Sequence, residues 1–326
     1  MVCALIAEKG FQMKRTTKVI VAIILFVGLA TGIGFLAQTR SDSSKPFKIV
    51  TTVFPAYDFA RAVVGNNANI SLLVPPGSET HSYEPSPQDI SAIQQCDLFI
   101  YVGGESESWV DKITIDLDKS KTRLIKMLDV SDALEEEIVE GMESNEHIYE
   151  AEYDEHVWTS PLNAIKIVNA IRDAVTDIDL DNADIYRSNA DNYTSKLRNL
   201  DQDFRTMVEK SKRRLIIFGD RFPFRYLTEE YGLQYFAAFP GCSEQTEASA
   251  ATIAFLISKI NSSKLHYIFT VEFSNQEIAK TIAAETGAEI LELHSLHNVS
   301  KADFDSGKTY LEIMRTNLDN LEKALN

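Results

Sequence analysis

At 326 residues, with 44% hydrophobic and 25% charged residues, the chain has the composition of a globular protein and the length for two domains with cores of their own. A formal net charge of -16 argues against a nucleic-acid partner, because binding phosphates needs a basic surface, and is compatible with attraction of cations. Three cysteines (Cys3, Cys96 and Cys242) form no CxxC pair and no disulfide framework.

The chain opens on a targeting signal. Lys14, Arg15 and Lys18 precede an uncharged, mostly apolar run over 19–37, long enough to cross a bilayer. The positive-inside rule leaves the N-terminus in the cytoplasm and everything after Arg40 outside. The run ends without a cysteine for lipid attachment, and Phe35 before Leu36 and Ala37 makes a poor cleavage site. A retained membrane anchor is therefore favoured over a cleaved, secreted form. Met13, followed by Lys14 and Arg15, reads as a natural translation start. Residues 1–40 are assigned to this signal and anchor, and 41–46 to a short linker.

Strands and helices then alternate. Strands are predicted over 47–53 (FKIVTTV), 69–74 (NISLLV), 97–102 (DLFIYV) and 123–127, with helices over 56–64, 88–95 and through Trp109. This order implies parallel β/α units. Between Asp132 and His156 stand eleven acidic residues and no Lys or Arg, which reads as an exposed, mobile loop. Pro161 opens a helix to about Val175.

The next stretch dominates the pattern. No Gly or Pro occurs over 162–218, and Tyr186, Ala190, Tyr193, Leu197, Leu200, Phe204 and Met207 fall four and three apart, on one face of a helix. A helix over 182–210, capped near Asp181, would run on the order of 40 Å, the length of a domain. Past it the alternation resumes. Strands are predicted at 214–218, 233–237, 266–271 and 289–293, with helices at 222–231, 246–260, 275–286 and 303–325. The reading is an α/β fold of two lobes, 47–180 (including the acidic loop 132–156) and 211–326, joined by one long backbone helix over 181–210.

Six histidines are present. His81 lies in PPGSETHSYEPSP after a strand, His156 in DEHVWTSP at the end of the acidic loop, and His294 after a strand with His297 three residues on. Asp220 follows RLIIFG in the same kind of position. Ligands of parallel α/β folds bind beyond the carboxyl ends of strands, so His81, His156, Asp220 and His294, two from each lobe, would converge on the cleft between lobes. Imidazoles with one carboxylate suit tetrahedral Zn²⁺. His147 reads as a solvated loop residue and His266 as a packed strand residue. Gly103–Gly104 with Glu107 lacks the GxGxxG fingerprint, so nucleotide binding is not expected. Trp109 and Trp158 read as packing residues near the cleft, and Glu272 as a hydrogen-bonding group across it.

The segments PPGSETHSYEPSP, CDLFIYVGGESESWV, DEHVWTSP, AETGAEILELHSL and KTYLEIMRTNLDNLEKAL together resemble the zinc/manganese solute-binding proteins of ABC importers, in the family's order and over 47–326. That resemblance implies a periplasmic-binding-protein-like metal receptor, with the metal held between lobes joined by one long helix. His81 and His156 match the first two ligands and His294 the fourth. The third precedes an aromatic-rich segment, here FGDRFPFRYLTEEYGL with one extra residue. Asp220 is taken as that ligand; Arg221 falls at the strict offset but cannot bind a cation. His297 or water completes the shell if Asp220 does not reach the metal, and His147 is a weak auxiliary collector.

Three histidines with one carboxylate lean toward Zn²⁺, whereas two carboxylates would suit Mn²⁺ better. The implied function is capture of Zn²⁺ outside the membrane and delivery to an ABC permease by a monomer that catalyses no reaction. The alternatives are a manganese-selective receptor, a metal-dependent adhesin or surface antigen, and a zinc hydrolase. The last needs a general base and an open coordination position, and no HExxH occurs; Glu155 beside His156 is the nearest candidate base.

Overall fold

The computed structural model describes residues 46–326, apart from 79–82, 116, 119, 143–151 and 244–246. The apolar run over 19–37, His81 and His147 therefore lie outside the described residues. Phe47–Asn326 forms one compact unit.

Its first half is built of parallel β/α units. Strands β1 (Phe47–Thr51), β2 (Ala68–Leu72), β3 (Leu98–Tyr101) and β4 (Arg123–Lys126) form one parallel sheet in the order β2-β1-β3-β4. The LFIY run of β3 is buried along its whole length, as a strand covered on both faces must be. Helices α1 (Phe54–Val64), α2 (Pro87–Gln94) and α3 (Trp109–Thr114) complete the units. A capping box starts α2: Ser86 Oγ accepts from the Asp89 N–H while the Asp89 carboxylate accepts from the Ser86 N–H.

Helix α4 (Pro161–Ile178) leads into α5 (Ala183–Lys210), the long backbone helix, which at 28 residues spans about 42 Å. All seven residues of the sequence stripe, from Tyr186 to Met207, are buried. They pack against α1, α4 and α10 (Tyr310–Leu325) in a core shared by both halves of the chain. The break between α4 and α5 needs no Gly or Pro. The Asp179 carboxylate accepts from Asn182 Nδ2 at 2.7 Å and the Tyr186 hydroxyl at 2.6 Å, which turns the chain there.

The second half carries strands β5 (Leu215–Ile217), β6 (Arg221–Phe222), β7 (Gln234–Phe236), β8 (Phe239–Pro240), β9 (Tyr267–Thr270) and β10 (Glu289–Glu292). They pair in parallel as β5-β7, β6-β8 and β9-β10, and a bridge between Phe218 and Phe269 joins β5 to β9. Helices α6 (Arg225–Tyr231), α7 (Ala250–Ser263), α8 (Glu277–Thr286) and α9 (Lys301–Asp305) flank them.

Three expectations change. The helix expected from residue 222 begins at Arg225, because Pro223 biases Phe222 toward extended backbone and Phe222 pairs in β6. The terminal helix is two, α9 and α10, separated at Gly307, whose φ of 77° suits glycine. It restarts at Thr309 with a second capping box to Glu312. The acidic segment, on its described residues 132–142 and 152–156, is docked rather than mobile. Glu135 and Tyr153 form an antiparallel bridge, and the Tyr226 hydroxyl donates to the Asp154 carbonyl at 2.6 Å while accepting from the Leu134 N–H at 3.1 Å. Glu136 accepts from the Cys242 N–H, Glu137 pairs with Arg225, and Glu140 pairs with Lys259.

Candidate metal centre

A cleft open to solvent lies beyond the carboxyl ends of the parallel strands. The turn after β10 brings Ser295, His297 and Asn298, the turn after β9 brings Glu272, β6 brings Arg221, and the end of the acidic segment brings His156.

His156 is 1% exposed and held rigidly. Its backbone N–H donates to Asp154 Oδ1 at 2.8 Å, and its Nδ1 lies 3.1 Å from the same oxygen. A carboxylate on Nδ1 sets the tautomer and orientation in which Nε2 is the ligating nitrogen. Burial opposes the charged imidazole, yet Asp154, with Glu155 and Glu136 behind it, raises the His156 pKa above its ordinary value. The His297 ring meets the His156 ring edge to face at 5.1 Å between centroids. Two imidazoles on one tetrahedral Zn²⁺, with Zn–N about 2.05 Å, have centroids about 5 Å apart, so this separation fits shared coordination. Trp158 packs on both rings, at 5.6 Å from His156 and 5.1 Å from His297.

Asp220 and His294 do not line this cleft. The Asp220 carboxylate accepts from the Arg221 N–H at 2.9 Å, from the Val271 N–H at 3.5 Å and from Ser274, which fastens the β5–β6 turn to the end of β9. Burial raises its pKa, against those hydrogen bonds. His294 Nδ1 accepts from the Leu296 N–H at 2.9 Å and lies 3.6 Å from Glu272 Oε1. Leu296, fully buried with a φ of 64°, turns the chain between the two histidines. That left-handed turn brings His297 to the cleft and leaves His294 behind it. Glu272 accepts from the Ser295 N–H at 2.7 Å and from its hydroxyl. Among the described residues no group of three or more His, Cys, Asp and Glu side chains is arranged to hold a metal ion, and His81 lies outside them.

Carboxylates stand behind the histidines. Glu155 accepts from the Ser106 N–H and hydroxyl, and Glu107 accepts from the Val102 and Gly103 N–H groups at 2.7 and 2.8 Å. Cys96 and Cys242 are free thiols. Burial, then Glu155, Asp154 and Glu136, push the Cys242 thiol well above its usual range.

Parallel strands that present a polar cleft at their carboxyl ends, with a long helix spanning the fold, make this a cleft-type α/β binding protein. The chain belongs to the ZnuA family: the family model described as zinc-uptake complex component A, periplasmic, matches residues 49–324. It is 35% identical over 293 residues to the zinc-binding lipoprotein AdcA of Streptococcus pneumoniae R6, covering 88% of this chain and 57% of that protein. It thus spans little more than half the length of the streptococcal relatives. With the high-affinity zinc uptake system protein ZnuA of Bacillus subtilis 168 it shares 33% identity over 310 residues, 94% of this chain and 96% of that one. Among solved structures, the Zn(II)-bound ZnuA-like domain of S. pneumoniae AdcA superposes with a TM-score of 0.71 at 33% identity, covering 86% and 98% of the two chains. The metal-dependent lipoprotein YcdH of B. subtilis superposes at 0.72 and 32%, covering 86% and 99%.

Proposed function

We propose that this chain is an extracytoplasmic receptor that captures Zn²⁺ in the cleft and delivers it to an ABC permease, without catalysing a reaction. The observation that carries the reading is the pair His156 and His297, edge to face at 5.1 Å in a cleft of a ZnuA-family fold. The names of the relatives, zinc-binding and zinc-uptake proteins, support zinc as the cargo. So does the donor set, since imidazole suits Zn²⁺ better than Mn²⁺, which favours oxygen. His81 supplies a third imidazole on the strength of its motif. Asp220 and His294 act one step back, holding the turns that carry Arg221 and His297. The apolar run over 19–37 anchors the chain at the outer face of the cytoplasmic membrane. The lobes 47–180 and 211–326, joined at 181–210, allow only small rocking, because their apolar core is continuous.

Zinc titration of single variants tests this. His156→Ala and His297→Ala should each weaken binding by more than the roughly 10–100-fold that loss of a supporting hydrogen bond costs. Asp220→Ala and His294→Ala should weaken it by about tenfold or less. Full affinity in His297→Ala, with loss in His294→Ala, would reverse the assignment. Tighter binding of Mn²⁺ than Zn²⁺ would overturn the choice of cargo.

A further inference from the structure

Asn298 follows His297 on the cleft wall and is only 2% exposed. A primary amide carries two N–H donors and one carbonyl acceptor, and here both ends are engaged. Nδ2 donates to the Pro75 carbonyl at 2.8 Å and to the Ser78 carbonyl at 2.9 Å, while Oδ1 accepts from the Val299 N–H at 2.8 Å. Those partners decide which end of the amide is which, since carbonyls demand a donor and an N–H demands an acceptor. Pro75 and Ser78 close a tight turn after β2, with the Ser78 N–H donating to the Pro75 carbonyl at 3.1 Å. They stand 223 and 220 positions from Asn298, so only the fold brings them together. Two backbone bonds run beside the amide. The Gly77 N–H donates to the Val299 carbonyl at 2.8 Å, and the Phe54 N–H, a free donor at the start of α1, donates to the His297 carbonyl at 3.4 Å. Ser295 is held by Glu272 of the second half of the chain, whereas the residues from His297 to Val299 are stitched to the first half.

We propose that Asn298 is a positioning residue for the metal cleft: its amide clasps the 75–78 turn to the His297 turn as one piece and thereby holds the His297 imidazole where zinc needs it. The inference rests on the reading of the cleft as a zinc site and deepens it by naming what places one of its histidines. A ligating ring must stay within about 0.5 Å of its productive position, and a ring carried on a turn is placed by whatever fixes that turn. A clasp that served stability alone would lower the unfolding midpoint and leave zinc binding as it was. A clasp that positions His297 must also be strengthened by zinc, by the same factor as it strengthens zinc binding.

The test is zinc affinity of the full-length chain by competition with a chromogenic chelator, beside urea unfolding of the metal-free protein. Asn298→Ser keeps a small polar group and loses the double clasp, and Asn298→Asp keeps the shape and loses both donors. Each should weaken zinc binding roughly 10–100-fold, and the visible absorption of bound Co²⁺ should change with it. Asn189 is the control: its Nδ2 donates to the Val63 carbonyl at 2.9 Å from α5, and it does not line the cleft. Asn189→Ala should leave zinc affinity and the Co²⁺ spectrum as in the wild type. Wild-type affinity in a folded Asn298 variant overturns the positioning role and leaves the zinc receptor standing. No zinc binding by the wild type overturns the receptor reading, and the positioning role with it. If both Asn298 variants fail to fold, hydrogen exchange in the wild type decides. Saturating zinc should slow the Gly77 N–H by about tenfold more than the Gly287 N–H that closes α8, and equal slowing of the two overturns the proposal.

Discussion

The indole N–H of Trp158 donates to the carbonyl of Ser295 at 2.8 Å, tying the segment that carries His156 to the turn that carries His297. Trp158 is fully buried, and its own carbonyl accepts from the Tyr310 hydroxyl at 2.7 Å. Trp158→Phe keeps most of the packing but strands the Ser295 carbonyl. It should cost about 1–3 kcal/mol of stability in urea unfolding and loosen zinc binding, whereas wild-type values for both would show that this bond does not organise the site.

Asp154 holds His156 through both its backbone N–H and Nδ1. Asp154→Asn preserves the shape but weakens the hold on Nδ1 and can select the wrong tautomer. Zinc affinity should fall roughly 10–100-fold, with the unfolding midpoint of the metal-free protein changing little by comparison. An unchanged affinity would mean that the ring is oriented by Trp158 and His297 alone.

Glu107 sets a pH dependence of stability. Burial, the largest influence, pushes its carboxyl up from 4.5 to about 7, despite the N–H groups of Val102 and Gly103 that favour the charged form. The folded state thus holds a proton that the unfolded state has released between these values. The contribution is full below about 4.5 and is lost as pH rises to about 7, a swing on the order of 3 kcal/mol. Glu107→Gln should remove that falling limb from a plot of urea midpoint against pH. Parallel curves for the two proteins would show that Glu107 ionises normally.

Gly241 lines the cleft where backbone passes close. A Cβ placed there would lie 2.9 Å from the Phe222 carbonyl oxygen and 3.1 Å from Asp154 Oδ2. Gly241→Ala should therefore push on β6 and on the support of His156, costing about 1–3 kcal/mol and weakening zinc binding. Wild-type thermal unfolding and affinity would show that the turn yields freely.

Elements with a period of their own were legible in the chain. The 4-3 spacing from Tyr186 to Met207 defines the buried face of α5, because a helix puts those positions on one side whatever it packs against. The β/α order over 47–126 predicts the parallel sheet for a related reason: short apolar, β-branched-rich runs alternating with helical stretches need crossover connections, which place the strands parallel. The docking of the acidic segment was not legible. Its charge suggested a solvated loop, but the partners that hold it, Tyr226, Arg225, Lys259 and the Cys242 N–H, stand 72 or more positions away along the chain.

The site divides in the same way. The sequence by itself determined the family and the long helix, and it placed His156 in one local motif with Trp158 and Pro161. Local motifs carry all of these. Only the tertiary structure decided which side chains reach the cleft. Near the carboxyl end of a strand, one left-handed residue reverses the direction of everything after it, and Leu296 does so between His294 and His297. Asp220 looked equally well placed, yet its carboxylate is taken by the Val271 N–H and Ser274 of a distant strand end. Arg221, the next residue, takes the place at the cleft because β6 pairs with β8, a partner that spacing along the chain does not reveal.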